Sequence, residues 1–393
     1  MECCKKIRPK TGGGLYVHIP FCIRKCAYCD FYSLTDLSRM GAFVSAFIRE
    51  AELLSPRVKF SCDTLYLGGG TPSVLTIAAL EKMMESLYRC FDFTNDAEIS
   101  LEANPGTITA EKLSAFRSMG INRISIGVQS FQHQHLRFLG RIHSAKEAVE
   151  ALGESGKFFD NTGLDLIYGL PGQSEKAWKE DLEKSLTFAP AHLSCYLLTY
   201  EKGTALTEKL HRGHFLPLAD EKAARLLEFT VEFLDSRGYA QYEISNFARS
   251  PDLRSRHNCK YWSSAPYAGL GPAAHSFFPP QRQWNVSSLE KYIRSLRQNM
   301  LPLAGKEILN REQQMTEAIY LGLRKREGIG IPDFEKKFSL SFENIFGKTA
   351  KDLVQRGLLE KDAARCALSF KGLRFLDSIT SLLADCCPES AEI

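Results

Sequence analysis

The amino-acid sequence predicts an α/β fold: a partial barrel of six parallel strand–helix units, (β/α)6, followed by a small winged-helix-like C-terminal domain. Two observations support this prediction. Between residues 14 and 238, short apolar runs rich in strand-forming residues alternate six times with amphipathic stretches of helical period. Beyond residue 311, short helical stretches and one hairpin-like stretch replace that alternation. Alternating strands and helices form parallel sheets through right-handed crossovers, so the first part predicts an open barrel.

Each predicted strand of the barrel is short and is followed by a predicted helix. The strands are predicted at 15–19, 64–67, 98–101, 123–128, 163–167 and 192–198. The helices are predicted at 37–54, 74–90, 110–119, 145–156, 175–188 and 220–237. Active sites of parallel barrels form where the carboxyl ends of the strands converge. Polar residues directly after each apolar run are therefore the candidate site residues.

The changes of pattern along the chain predict four segments. A short N-terminal tail precedes the barrel, and a loop-rich, aromatic-rich connecting region separates the barrel from the winged-helix-like domain. The cysteine pairs near the two ends of the chain are expected to lie in tails. The predicted boundaries are 1–13, 14–240, 241–310 and 311–385. In the last segment, helices are predicted at 313–323 and 342–355, separated by the stretch 332–338 and followed by a hairpin-like stretch at 358–370 and a final helix.

Charge and hydropathy exclude two classes of partner. The 50 basic and 46 acidic residues give a net charge of +4 and are scattered, which does not suggest nucleic acid as a partner. No run of about 18 apolar residues predicts a membrane span, and the charged start of the chain does not resemble a signal peptide. A cytoplasmic location is expected, where the 12 cysteines favour metal binding or free thiols over disulfides.

Three of the cysteines, Cys22, Cys26 and Cys29, follow the first predicted strand with the spacing CxxxCxxC. In a four-iron cubane, three thiolates leave one iron without a protein ligand. The amine and carboxylate of S-adenosylmethionine (SAM) can chelate that open iron. A zinc site is the alternative, but zinc usually completes a tetrahedron with a fourth Cys or His, often on a second CxxC knuckle, and no second knuckle is present.

Several motifs accompany the cysteines: YVHIPFC at 16–22, GGGTP at 68–72, GVQSF at 127–131, LGR at 139–141 and DLIYGLP at 165–171. In this combination the chain resembles the oxygen-independent coproporphyrinogen III dehydrogenase superfamily of radical SAM proteins. The resemblance covers nearly all of the sequence from Gly14 onward. It implies a radical SAM barrel in which the three cysteines hold a [4Fe–4S] cluster and SAM binds the fourth iron.

The resemblance also implies which residues contact the cluster and SAM at the first two strand ends. Tyr16 would lie against both groups, and Tyr28 would pack beside the adenine. Gly69, Gly70 and Thr71 would let backbone amides and carbonyls approach the amino-acid end of SAM. Alone, a glycine triplet is also typical of a tight strand-to-helix turn.

Four further positions match SAM-binding residues of the superfamily. Glu102 and Asp165 suit ammonium and ribose hydroxyl contacts, and Arg141 suits a carboxylate. Gln129 can both donate and accept hydrogen bonds. Each residue alone is more often structural, but together they follow successive strands and favour one site.

Two features distinguish branches of the superfamily. The dehydrogenases carry a further cysteine two residues after the third ligand, where this sequence has Phe31, and they have a longer segment before the cluster than the 21 residues preceding Cys22. The stretch HNCKYW at 257–262 resembles the HNxxYW signature of the heme chaperone branch. His257 is therefore expected to bind heme iron; His275 is a competing ligand, and the alternative is that His257 only braces a loop.

The leading hypothesis is thus a heme chaperone that hands heme to acceptor proteins such as respiratory hemoproteins. The alternative is a coproporphyrinogen III dehydrogenase that abstracts hydrogen from propionate side chains before carbon dioxide is lost. A third possibility is radical methylation or ring opening of heme.

Overall fold

The computed structural model describes residues 12–388. Its centre is a parallel sheet of six strands that lie in chain order, and each strand pairs with the next. The strands are β1 (Gly13–Ile19), β2 (Cys62–Gly69), β3 (Phe93–Ala103), β4 (Arg123–Gln129), β5 (Thr162–Tyr168) and β6 (His192–Leu197).

Helices follow these strands and cover the sheet. In β1, Leu15, Val17 and Ile19 are fully buried, as expected for a parallel strand that is covered by helices. Several of the helices begin at Ser or Thr residues whose side chains cap a first-turn amide group; Ser144 and Glu147, for example, form a reciprocal capping box. The helices are α1 (Met40–Leu54), α2 (Ile77–Cys90), α3 (Ala110–Ser118), α4 (His133–Leu139), α5 (Ala145–Phe158), α6 (Glu175–Leu186), α7 (Ala205–His211) and α8 (Asp220–Asp235).

The segment 241–310 differs from the loop-rich connection predicted for it. It extends the sheet at both edges to twelve strands, in the order β12-β11-β10-β9-β1-β2-β3-β4-β5-β6-β8-β7. β9 is parallel to β1, and the other added strands are antiparallel to their neighbours. The added elements are β7 (Ala240–Glu243), β8 (Asn246–Ala248), α9 (Arg256–Trp262), β9 (Tyr267–Leu270), β10 (His275–Phe278), β11 (Gln281–Asn285), α10 (Leu289–Arg297) and β12 (Leu303–Ile308).

Glu50 of α1 joins the extension to the barrel. Its carboxylate accepts hydrogen bonds from the Gly271 amide (2.7 Å), the Asn285 side chain (2.6 Å) and the Tyr292 hydroxyl (2.6 Å). Burial raises the pKa of Glu50 to about 7, although these donors oppose the shift. One buried side chain thus connects a barrel helix to the end of β9, to β11 and to α10.

The C-terminal domain packs four helices on a three-stranded antiparallel sheet of order β13-β15-β14. Its core contains the mutually packed rings of Phe334, Phe342 and Phe346. Cys386 and Cys387, expected in a tail, instead pack against this core, whereas Cys3, Cys4 and nearly all of the predicted tail 1–13 lie outside the described residues. The elements are α11 (Arg311–Arg324), β13 (Ile329–Gly330), α12 (Ile331–Phe338), α13 (Phe342–Gln355), β14 (Leu359–Lys361), β15 (Arg365–Leu368) and α14 (Leu376–Ala384).

The predicted fold class is confirmed: an α/β chain with a partial barrel of six parallel units and a small winged-helix-like domain. None of the helices between residues 12 and 388 is both long enough and apolar enough to cross a membrane.

Candidate cluster and cofactor site

A pocket of about 720 Å³ lies at the carboxyl ends of the barrel strands. We call it the central pocket. All but two of the residues predicted for the site line this pocket. The lining residues among them are Cys22, Cys26, Tyr28, Cys29, Gly69, Gly70, Thr71, Glu102, Gln129, Arg141 and Asp165.

The three cysteines lie on the loop that follows β1. Hydrogen bonds close this loop at its base, where the Cys22 amide donates to Leu34 (2.9 Å) and the Leu34 amide donates to Pro20 (2.7 Å). The Cys29 amide donates to the Cys26 carbonyl at 3.2 Å. All three thiols are free and face the central pocket.

Among residues 12–388, no three His, Cys, Asp or Glu side chains are gathered closely enough to hold a single metal ion. A cubane cluster has a different requirement, because each of its thiolate ligands binds a different iron.

The glycine triplet holds the end of β2 against the cysteine loop. The Gly70 amide donates to Ile19 (2.8 Å) and the Thr71 amide donates to Phe21 (2.7 Å). Gly69 has a φ of +102°, and a Cβ at this position would lie 2.6 Å from Nδ1 of His18. Glycine is required here both by the backbone conformation and by the lack of space.

Two carboxylates lie inside the central pocket. Glu102 accepts from the Tyr66 hydroxyl (2.8 Å) and the Gly69 amide (3.2 Å), and Asp165 accepts from Ser125 Oγ (3.1 Å). Burial raises the pKa of Glu102 to about 7, and the nearby Asp165 adds to the shift. Burial also raises the pKa of Asp165. A cation or a set of hydroxyl donors bound between them would stabilise both ionised carboxylates.

Arg141 joins the end of β4 to the cysteine loop. Its Nη1 donates to Cys26 Sγ (3.3 Å) and lies 3.5 Å from the Tyr28 hydroxyl, while Nη2 donates to the Gly127 carbonyl (2.6 Å). Its Nε is buried without a partner in the described part of the chain. Gln129, which has a φ of +70°, brings its amide into the same corner of the pocket.

Tyr16 and His257 do not line the central pocket. The Tyr16 ring stacks on Tyr66 and His257 inside the barrel, and its hydroxyl lies 3.1 Å from Nδ1 of His18. Its expected contact with the cluster and SAM stays a prediction.

His257 lies on α9 and is 1% exposed. Its Nδ1 lies 2.8 Å from Thr64 Oγ1 and its Nε2 lies 3.0 Å from the Tyr261 hydroxyl. Burial and the nearby Lys260 lower its pKa to about 3. Both ring nitrogens are thus engaged within the described residues, as in the bracing alternative, and heme ligation by His257 stays a prediction.

The central pocket also contains residues that sequence reasoning did not identify. Tyr196 and Leu197 at the end of β6 are each exposed by about two-fifths, and Arg324 reaches the pocket from α11 of the C-terminal domain. Arg324 also lies 4.8 Å from the centre of the Trp262 ring. The sequence around Arg324 gives no local signal, because this residue enters the site from another domain. Tyr196 and Leu197 could have been identified as candidates, because they are apolar residues at the end of a predicted strand.

A second cavity, of about 430 Å³, lies between the sheet extension and α11. We call it the lateral pocket. His275 of β10 is in its wall, and its ring stacks on Trp284 with a centroid distance of 6.0 Å and an interplanar angle of 23°. Partial burial and the neighbouring Arg282 lower the pKa of His275. Its wall is formed by Tyr261, Ser264, Tyr267, His275, Phe277, Arg282, Trp284, Glu307, Glu317 and Leu321.

Comparison with known families agrees with this geometry. Residues 16–184 match the Radical SAM superfamily, and residues 309–375 match the HemN C-terminal domain. The barrel and its cysteine loop thus define a radical SAM protein. Heme chaperone HemW from Lactococcus lactis subsp. lactis (strain IL1403) is 33% identical over 368 residues, which cover 93% of this chain and 95% of that protein. The chain belongs to the heme chaperone HemW family, as the motifs predicted.

Two other similar proteins extend the comparison. Radical S-adenosyl methionine domain-containing protein 1, mitochondrial, from Danio rerio is 34% identical over 382 residues, covering 93% of this chain and 85% of that protein. The solved structure of coproporphyrinogen III oxidase (HemN) from Escherichia coli has a TM-score of 0.83 at 24% identity, covering 95% of this chain and 90% of that one. This second likeness shows a shared fold.

Proposed function

We propose that this chain is a heme chaperone that holds a [4Fe–4S] cluster and SAM in the central pocket, binds heme and transfers it to acceptor apoproteins such as respiratory hemoproteins. The observation that carries the proposal is the set of three free thiols that face the same pocket as two buried carboxylates and an arginine. The name of the relatives, heme chaperone, supports heme as the cargo.

Cys22, Cys26 and Cys29 would bind three irons and leave the fourth to SAM. When bound, the cluster and SAM supply reductive cleavage of a SAM carbon–sulfur bond. Arg141 places a positive charge beside Cys26 Sγ. Its buried Nε–H has no partner among the described residues and could donate a hydrogen bond to an acceptor atom of SAM.

The other pocket residues would position SAM. Glu102 and Asp165 would accept from ammonium or hydroxyl groups, because burial disfavours their ionised forms and such donors would stabilise them. The backbone from Gly69 to Thr71 admits a ligand closely, and Tyr28 offers a flat surface to adenine. Tyr16 and His257 would act on the site only through the side chains that they contact.

Phe31 bears on the choice between chaperone and enzyme. It occupies the position where the dehydrogenases carry a further cysteine, and it lies at the mouth of the central pocket with 63% of its surface exposed. An apolar ring cannot donate a proton or ligate iron. We therefore favour the chaperone over oxidative decarboxylation, although the fold shared with coproporphyrinogen III oxidase keeps that reaction as the alternative.

The test of the chaperone is anaerobic reconstitution with iron and sulfide, heme titration, and mixing of the heme-loaded protein with an apo-hemoprotein. We expect a shifted Soret band and then growth of the acceptor's own spectrum. No Soret shift in the wild-type protein would overturn the proposal.

A separate assay tests the alternative function. The reconstituted protein is incubated anaerobically with coproporphyrinogen III, SAM and a reductant, and the porphyrins are analysed by mass spectrometry. We expect unchanged substrate. Protoporphyrinogen would establish the dehydrogenase, and methylated or opened heme in a parallel incubation would establish the third possibility.

A further inference from the structure

We propose that heme binds in the lateral pocket and that His275 is its axial ligand. This inference rests on the proposed function, because it takes for granted that the protein binds heme. It places the cargo outside the barrel, on a wall built by β9, β10, β11 and α11, rather than at the histidine of the HNxxYW motif.

Aromatic side chains line much of the lateral pocket. The rings of His275 and Trp284 stack on each other, so Trp284 supports the imidazole that would approach the iron, and Tyr267 meets Tyr261 edge to face at 4.8 Å. Phe277 continues this surface, with its ring centre 6.3 Å from that of Tyr267. Aromatic walls around a cavity of about 430 Å³ provide the stacking surface that a porphyrin plane requires.

His275 has the freedom that His257 lacks. Within residues 12–388, the His275 ring stacks on Trp284, and neither of its nitrogens makes a hydrogen bond or an ion pair. Its side chain is exposed toward the pocket, so iron can approach. His275 lies in the wall of the lateral pocket, whereas no histidine lines the central pocket. Imidazole is a natural axial ligand of heme iron.

Arg282 supplies a site for the acidic edge of the ligand. It contacts Glu317 of α11, and its Nη1 lies 3.3 Å from Glu307 of β12. Both partners are carboxylates, the group that a heme propionate presents. Because the contact with Glu307 lies at a partly exposed rim, it contributes little stability, and a propionate can replace that carboxylate.

The HNxxYW motif contributes to this pocket through its tyrosine. The Tyr261 hydroxyl lies 3.0 Å from Nε2 of His257, and the Tyr261 ring forms part of the pocket wall. His257 is therefore a positioning residue: it holds Tyr261 and α9 against the barrel and does not reach the ligand. The two histidines thus have different proposed roles: His275 binds the heme iron, and His257 positions Tyr261.

The experiment compares hemin binding by the full-length, anaerobically reconstituted wild-type protein with binding by His275→Ala, His257→Ala and His211→Ala. His211 is an exposed histidine on α7 and is the matched control. Iron content and circular dichroism verify that each variant is folded. The readouts are the dissociation constant from Soret titration and the axial-ligand signature in resonance Raman and electron paramagnetic resonance spectra.

We expect His275→Ala to raise the dissociation constant by about tenfold or more and to lose the histidine signature, with added imidazole restoring it. His257→Ala should keep the signature, and His211→Ala should match the wild type. If His275→Ala keeps both the affinity and the signature, or if His257→Ala alone loses the signature, the inference is wrong. If the wild-type protein binds no hemin, the proposed function itself fails, which separates the two outcomes.

If His275→Ala does not fold, Trp284→Leu provides a second test. It removes the ring that stacks on His275 but leaves the imidazole in place. We expect weaker hemin binding with the histidine signature retained; unchanged affinity would contradict the lateral pocket as the site.

Discussion

Arg141 donates a hydrogen bond to the sulfur of Cys26 across a sequence separation of 115 residues. The contact ties the end of β4 to the cysteine loop and places the positive charge of the guanidinium beside a proposed cluster ligand. The same side chain is held by the Gly127 carbonyl, so its position does not depend on the bound groups.

We therefore expect Arg141→Met to retain iron and to weaken SAM binding. The loss of a charged hydrogen-bond donor of this kind costs about 1.5–3 kcal/mol, which corresponds to roughly 10- to 100-fold in affinity. Isothermal titration of the reconstituted protein with SAM measures the change. Arg137→Met on α4, which removes an exposed arginine, is the control. Equal SAM affinity in Arg141→Met and the wild type would remove Arg141 from the site.

The three cysteines are expected to be required together for iron. Replacing Cys22, Cys26 or Cys29 by Ser removes a thiolate ligand, so iron and sulfide contents after reconstitution should fall sharply. Cys90→Ser is the matched control, because Cys90 is a partly buried free thiol on α2 that does not line the central pocket. Iron analysis and the visible spectrum measure the effect. Unchanged iron in a triad variant would contradict the cluster assignment.

Gly69→Ala should destabilise the protein. The residue has a φ of +102°, and the added methyl group would meet the His18 ring, so we expect a loss of about 1–3 kcal/mol in the free energy of unfolding. Gly41→Ala in α1 is the control, because nothing lies within 4 Å of a Cβ there and alanine favours a helix by about 0.5–1 kcal/mol. Urea denaturation compares the two. A neutral Gly69→Ala would show that this turn is not constrained as described.

Glu50 should make stability depend on pH. Because its pKa is raised to about 7 in the folded protein, the folded state binds the proton more tightly than the unfolded state. The contribution of Glu50 to the free energy of unfolding should therefore fall as pH rises from about 4.5 to about 7, by on the order of 3 kcal/mol. Urea denaturation of the wild type and Glu50→Gln at several pH values isolates this contribution as the difference between them. A difference that is constant with pH, or that grows as pH rises, would contradict the assignment.

The parts of the fold that the sequence predicts are those with a regular apolar period. The strand predicted at 123–128 is observed as Arg123–Gln129, and the helix predicted at 342–355 is observed at those bounds. β3 begins at Phe93, earlier than predicted; the prediction missed its first part because the polar residues 94–96 show no strand period. β9 to β12 were missed because strands of four to six residues that pair at the edge of a sheet carry too little pattern.

The site shows the same limit. Consecutive strand ends converge by topology, so residues such as Glu102 and Asp165 could be placed together from their positions alone. The surroundings of His257 could not be predicted from the sequence. Its partner Thr64 is 193 residues away, and the motif does not encode the orientation of α9. The sequence also did not predict that Arg282 and Trp284 lie near His275, because this follows from the pairing of β11 with β10.

The carboxylate of Glu50 has a mechanical consequence for the cargo. By bonding to the ends of β9 and β11 and to α10, it makes the outer strands part of the same cooperative unit as the barrel. The strands that carry His275 and Trp284 are thereby tied to α1 of the barrel. If heme binds in the lateral pocket as proposed, it would leave past the partly exposed charges of Arg282 and Glu307, and a receiving protein would have to contact that rim.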